Sequence, residues 1–194
     1  MDALDFLLVR YRQIHDGPLV DGLLAGLSDA QARGRPHPGV NTIPWLLWHA
    51  ARVEDVGVSR FVADRPQVLP DWTARLGVSR RDVGTGMTAA EVDELSLTID
   101  LAALRGYWTA VAEGTLGVVE SLRGRDLESP IPEDRVRSVC AAEDVVDPRA
   151  AWLVDFWAAG RSRAWLLVQV ALLHPYAHYF DARVTRGLWG FPSP

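Results

Sequence analysis

Apolar residues recur at helical intervals in four long stretches of this chain. The first runs from about Asp2 to Leu27, through Leu7, Leu8, Tyr11, Ile14, Leu19, Leu23, Leu24 and Leu27, with a kink predicted at Gly17-Pro18. The second runs from about Thr42 to Ala63. Asn41 or Thr42 can cap it, and Pro44 suits a first turn, where a backbone N–H has no helical partner. The third runs from about Leu97 to Leu122, through Leu101, Leu104, Trp108, Val111, Leu116 and Val119. Gly114 and Gly117 either weaken it or let a neighbouring backbone approach. The fourth runs from about Arg161 to Leu188, with Gly187 or Gly190 as its end. A shorter helix is predicted over about Thr88–Leu95, because Thr88 and Glu91 have capping-box spacing.

The connections are unequal. Residues 28–41 read as a turn rich in Pro, Gly and Arg, and residues 64–96 as a long crossing. Residues 123–160 mix prolines, charges and apolar patches, with room for a short helix around Ala150–Trp157. No strand alternation, hairpin signal or repeat interrupts the helical pattern. The expected fold is therefore all-α, a four-helix bundle with long crossover connections, formed by residues 1–194 as one domain.

Composition narrows the function classes. The chain has 194 residues and a formal net charge of −5, with no basic block, so a nucleic-acid partner is not expected. Every basic residue is arginine and none is lysine, a usage that reads as a GC-rich genome. A single cysteine, Cys140, excludes an internal disulfide and a cysteine-built zinc site, and fits a reducing cytoplasm. The N-terminal stretch carries charges among its apolar residues, unlike a signal peptide. No apolar run reaches the roughly 18 residues of a membrane helix. A cytoplasmic protein with no membrane partner is expected.

Three histidines carry the chemistry. His49 shares a helix face with Trp45, Leu46 and Val53, so it should point inward. His174 and His178 are four apart in the fourth helix, which stacks their rings on one face, about 6 Å apart at Cβ. Val170 and Ala177 flank them and suggest that this face also looks inward. Three inward imidazoles from two helices form a site for one divalent ion, zinc, nickel or iron(II), with open positions for water or substrate. Without an ion they would be core or interface histidines, and neutral imidazoles buried without partners are costly. Asp181 follows on the same face as a candidate catalytic group. It could be a fourth ligand, an acceptor that orients an imidazole, a general base, or a surface carboxylate paired with Arg183 or Arg186. Pro175 removes the N–H that would bond to Ala171, so the fourth helix either bends there or begins again.

Other residues read as structural. Trp45, Trp48, Trp108, Trp152, Trp157 and Trp165 are expected in the core, some of them lining a pocket beside the metal. His15 and His37 read as surface or cap residues, and Cys140 as incidental in a loop.

The segment NTIPWLLWHAARVEDVGVSRFVADRPQV around His49 resembles the DinB-like superfamily, also called DinB/YfiT-like metalloenzymes. DWTARLGVSRRDVGTGMTAAEV, LAALRGYWTAVAEGTLGVVESL and HPYAHYFDARVTRGLWG resemble the same group, with the weakest likeness across residues 123–160. The resemblance implies a bundle in up-down-down-up order, often a homodimer. It also implies a metal held by one histidine of the second helix and two of the last, here His49, His174 and His178. Pro175 departs from the family pattern, and Asp181 stands where relatives often have glutamine or glutamate.

Characterised relatives include mycothiol-dependent maleylpyruvate isomerases and bacillithiol-dependent S-transferases. The resemblance thus implies a metal-dependent transferase acting on a small-molecule substrate, with a thiol such as mycothiol as co-substrate and the metal activating it as thiolate. Two other readings compete. One is a metal-dependent hydrolase using bound hydroxide. The other is a non-catalytic, stress-related dimeric bundle that binds a metal or ligand.

Overall fold

A computed structural model describes residues 3–15, 18–192 and 194. The described residues form helices joined by turns and loops, and their only β-type pairing is an isolated bridge between Pro130 and Ser162. None of their helices is long and apolar enough to cross a membrane.

The first stretch is two helices, α1 (Ala3–His15) and α2 (Pro18–Leu24). The predicted start at Asp2 and the Gly17 kink lie outside the described residues. The expected turn at 28–41 contains a short helix, α3 (Asp29–Arg33), closed by a capping box between Ser28 and Gln31. Helix α4 (Ile43–Glu54) has the expected cap: the Thr42 hydroxyl accepts from the Trp45 N–H, and Pro44 lies in the first turn. It continues in π geometry from Asp55 to Val62. After α5 (Thr73–Leu76), the capping box of Thr88 and Glu91 opens α6 (Ala89–Thr98). The third stretch does not begin at Leu97. Asp100 accepts from the Ala103 N–H and starts α7 (Leu101–Ser121) afresh. The long connection 123–160 contains α8 (Glu133–Ala142) and α9 (Trp152–Trp157).

Ser162 caps the last stretch, which runs as α10 (Arg163–Val168), a π segment (Gln169–Leu173) and α11 (His174–Leu188). The π segment resolves the question raised by Pro175. The His174 N–H reaches back five residues to the Gln169 carbonyl, and α11 begins there with Pro175 in its first turn. The residues before it are helical too, so Pro175, which has no N–H to donate, follows directly on the wider π turn within one continuous run. Gly190, at φ +84°, ends the run.

Helix α4 lies between α7 and α11, and every residue from Thr42 to Val58 is buried. A helix covered on all sides must satisfy any polar residue it carries from its neighbours. Asp55 accepts from the N–H groups of Val68 (2.9 Å) and Leu69 (3.0 Å), from the Tyr107 hydroxyl (2.9 Å) and from Arg52 (3.3 Å). That cluster pins the 64–72 crossing to α4. Glu54 accepts from the Thr115 hydroxyl at 2.7 Å and from Tyr11, and lies 3.3 Å from His15. His15 is therefore not a surface residue. It is buried, stacked between Tyr11 and Trp108 at ring separations of 4.1 and 4.8 Å. Cys140 lies in α8 rather than in a loop, and burial pushes its thiol up to about 11.

Gly57 sets the separation of α4 and the last helical stretch. A Cβ at this position would lie 2.7, 2.8 and 3.0 Å from three atoms of the Val170 side chain. The two π segments therefore touch where only hydrogen fits. Gly117, by contrast, has nothing within 4 Å, and Gly114 has only a Val68 methyl at 3.8 Å, so neither admits a close backbone. Gly57→Ala should destabilise the protein by about 1–3 kcal/mol through overpacking, read by urea denaturation. Gly117→Ala should be neutral or stabilising by up to about 1 kcal/mol, because it only removes a flexible residue from a helix. Equal effects at the two positions would contradict the close contact.

Candidate metal centre

The three histidines singled out by spacing meet. One ring nitrogen from each of His49, His174 and His178 lies within 4.8 Å of the other two. His174 Nε2 is 3.2 Å from His49 Nε2 and 3.2 Å from His178 Nε2. Ideal tetrahedral coordination at about 2.05 Å separates nitrogens by about 3.3 Å, and facial octahedral coordination by about 2.9 Å. The two separations from His174 fall between these values, and the third pair lies within 4.8 Å.

The surroundings fix two of the three tautomers. His49 Nδ1 faces the Val83 carbonyl, which can only accept, so the proton is on Nδ1 and the Nε2 lone pair is free. His178 Nδ1 lies 3.0 Å from Asp181 Oδ2, which by the same logic frees the Nε2 lone pair of His178. His174 Nδ1 is buried with no partner. If the His174 proton sits on Nε2, it can satisfy only one of the two lone pairs that face it. If it sits on Nδ1, three lone pairs face one another. Either way the cluster lacks a positive centre, which a divalent cation supplies. The residues present therefore fit such an ion.

Burial keeps the rings neutral. It lowers His49 to about 3, helped by the nearby His178 and opposed by the Val83 bond. His174 is lowered well below its usual range by burial and then by the other two rings. His178 is lowered by burial, against the pull of Asp181. Protons thus compete poorly for these nitrogens at neutral pH.

The supports come from several elements. Trp45 stacks on His49 at 4.7 Å with the planes 10° apart. The loop that presents Val83 is held by its N–H on the Val145 carbonyl (3.0 Å) and by Asp82 on the Gly84 N–H (2.7 Å). Arg80 ties Asp82 to Asp147 and Glu91, and Arg149 also pairs with Asp147 and Glu91. Gly84, at φ +84°, runs so close to Trp48 that a Cβ would meet the ring at 2.6 Å. None of this network was read from sequence. A carbonyl ligand has no residue signature, and the charges of Arg80-Arg81-Asp82 and Asp147-Pro148-Arg149 read as loop polarity.

Asp181 is exposed and bonded to His178, not to Arg183 or Arg186. Arg183 lies over Tyr179 and Phe180, and Arg186 donates to the carbonyls of Leu23, Ala25 and Pro192. Ala177 is exposed, so the histidine pair sits at the margin of the buried face of α11 rather than at its centre. The centre opens on a cavity of about 330 Å³ lined by Val53, Thr85, Trp152, Leu153, Phe156, Trp157, Gln169 and Val170 along with His49 and His174. Trp152, expected in the core, is 60 % exposed and forms the cavity's outer wall. His37 is a surface residue as expected, with Nδ1 accepting from the Gly39 N–H.

Buried neutral histidines give the metal-free protein an acid-sensitive stability. Below their ordinary value of 6.5 the unfolded chain takes up protons that the folded cluster refuses, so stability is full above that value and falls as pH drops toward 3. Urea midpoints of chelator-treated protein should fall between pH 7 and 5, and His49→Gln should flatten that slope. A slope unchanged by the substitution would contradict the buried neutral cluster.

Comparison with other proteins agrees with this architecture. A solved structure described as a conserved protein from Enterococcus faecalis superposes with a TM-score of 0.69, covering 97 % of each chain at 19 % identity. That likeness concerns the fold alone. No curated protein matches the chain. The model of the DinB superfamily matches residues 18–179, a span that includes α4 with His49 and the last helical stretch through His174 and His178. The chain belongs to the DinB superfamily.

Proposed function

We propose that this protein is a metal-dependent enzyme that joins a low-molecular-weight thiol, of the mycothiol type, through its sulfur to an electrophilic carbon, the thiol losing its proton and the electrophile its leaving group, such as chloride. The observation that carries the reading is the convergence of three neutral imidazole nitrogens at the mouth of an apolar cavity. His49, His174 and His178 would hold the ion, whether zinc, nickel or iron(II). A divalent cation bound there supplies Lewis acidity, which lowers the pKa of a coordinated thiol and makes it nucleophilic at neutral pH.

The chain's own residues prepare that chemistry. The Val83 carbonyl and Asp181 each hold an imidazole with its Nε2 turned to the centre. Asp181 acts as a positioning residue in this reading, since it engages the ring atom opposite the one that faces the centre. It leaves the remaining coordination positions open, which favours a catalytic over a purely structural ion. Val53, Leu153, Trp157 and Val170 exclude water from the reacting groups, and Phe156 and Trp152 offer flat faces to an apolar acceptor. Thr85 and Gln169 are the neutral polar groups placed to orient it.

The wider reading is a single-domain four-helix bundle in up-down-down-up order, built from the α1–α2, α4, α7 and α10–α11 stretches, acting in the cytoplasm. A homodimer is supported by Leu173, Phe180, Val184 and Leu188, which recur on one face of the last helical stretch and are 54, 51, 56 and 53 % exposed.

Protein purified without a histidine tag should carry about one divalent ion per chain, and His49→Ala should lose it. Asp181→Asn should weaken metal binding by about 10–100-fold. With mycothiol and a chlorinated aromatic acceptor, the loaded protein should form the thioether conjugate and His49→Ala should not. Hydrolysis of an ester or amide without any conjugate would replace this reading with that of a hydrolase. Inactivity of the loaded protein in both assays would favour the non-catalytic alternative.

A further inference from the structure

A second cleft lies at the other end of α4. It has a volume of about 570 Å³ and forms where the end of the first π segment, at Val62 and Ala63, meets the end of α7 at Ser121 and Leu122. Thirteen residues separate Val62 from His49, which is about 15–20 Å along a helix. The cleft is therefore distinct from the histidine centre and its cavity.

Four arginines line it: Arg65, Arg125, Arg135 and Arg163. Several arginines elsewhere in the chain meet carboxylates, as Arg60 does with Glu143 at 2.6 Å. None of the four is in an ion pair with a carboxylate at contact distance among the described residues, although Arg163 is near enough to Asp126 to stabilise its charge. Three of them are instead held by neutral backbone carbonyls. Arg125 Nε donates to Ser121 at 3.1 Å, Arg135 to Phe61 at 3.4 Å and Arg163 to Asp126 at 3.4 Å. A carbonyl tether restrains a guanidinium without cancelling its charge, and it leaves most of the five N–H donors open.

The cleft also contains two carboxylates, and both are engaged elsewhere. Asp64 pairs with Arg60 at 3.2 Å. Asp126 accepts from the Ser129 hydroxyl and from the N–H groups of Glu128 and Ser129, and these bonds, with a smaller contribution from Arg163, hold its carboxyl below the usual range. Four guanidinium groups against two carboxylates leave the lining cationic in a protein whose net charge is −5.

Guanidinium forks that outnumber the carboxylates around one concave volume, three of them tethered by carbonyls, suit a multiply charged oxyanion. We propose that this cleft is a second ligand site, taking a small molecule that bears more than one phosphoryl group. Arg135 and Arg163 would grip it from restrained positions, and the exposed Arg65 and Arg125 would close on it from the rim.

The test is calorimetric titration of the metal-loaded full-length protein with glucose 1,6-bisphosphate at constant ionic strength. Glucose is the neutral control and tricarballylate the carboxylate arm. Saturable binding at one site is expected, with glucose silent and tricarballylate weaker. Arg135→Gln/Arg163→Gln should lose at least about tenfold in affinity, the loss of one charge-assisted contact or more. Arg65→Gln/Arg125→Gln, whose side chains are exposed, should weaken binding with the helical circular dichroism unchanged. That second pair keeps the test valid if the first pair perturbs folding. Arg75→Gln, which removes an arginine stacked on Trp72, should bind as the parent does, and metal content should be the same throughout. No binding of the bisphosphate, binding indifferent to all four arginines, or an equal loss in Arg75→Gln would overturn the proposal. Tighter binding of tricarballylate, or of a single-stranded oligonucleotide, would overturn the choice of ligand.

Discussion

Three imidazole nitrogens are turned toward a common point inside this protein, and the surroundings deny at least two of them a proton. The Val83 carbonyl and the Asp181 carboxylate draw the ring protons of His49 and His178 outward, and burial keeps the rings neutral. Facing lone pairs repel unless a positive charge sits among them. Much of the architecture serves to hold this otherwise unfavourable meeting. The α4 helix and the last helical stretch close to contact at Gly57 and Val170. A π segment leads into His174 and Pro175 within one continuous helical run. A network of arginines and carboxylates fixes the loop that carries Val83.

The polar residues of α4 divide the interior. Apolar residues from Trp45 to Ala51 pack with α2, α6, the first half of α7 and α11. Those from Val53 to Val62 pack with α1, the second half of α7, and α8 to α10. Between the two clusters lie His49, Arg52, Glu54 and Asp55, all buried. Each of these would be costly alone, and each is met by a partner from another element: Val83, Gln67, Thr115 or Tyr107. Such a layer tolerates few alternative registers of α4, because a slip by one residue would strand several buried polar groups at once. The histidine centre sits in this layer, where the helix is least free to move.

Much of this could be read from residue order. The long helices announced themselves by apolar period, and their caps at Thr42 and Thr88 by residue type. The three histidines were legible because two are four apart and the third has apolar neighbours at helical spacing. What escaped depends on tertiary surroundings. His15 follows Leu8 and Tyr11 at helical spacing, a signal that its place at the helix end obscures, and Glu54 and Trp108 complete its burial. Arg52, Glu54 and Asp55 look like a solvated face until α4 is covered on every side. The cavity wall from α9 comes from the least patterned part of the chain, and Trp152 is exposed although its neighbours are apolar. The π segments carry no residue signature, so Pro175 could be read only as a bend or a fresh start of the helix.

The central claim is that one cation replaces the missing positive charge among the three rings. X-ray absorption at the zinc edge, on protein loaded with one equivalent of zinc, reads the ion's neighbours directly. Three imidazole nitrogens at about 2.0–2.1 Å, with the fourth position held by one exchangeable oxygen, are the expected result. A first shell of oxygens alone, or one containing a single imidazole, would contradict the account.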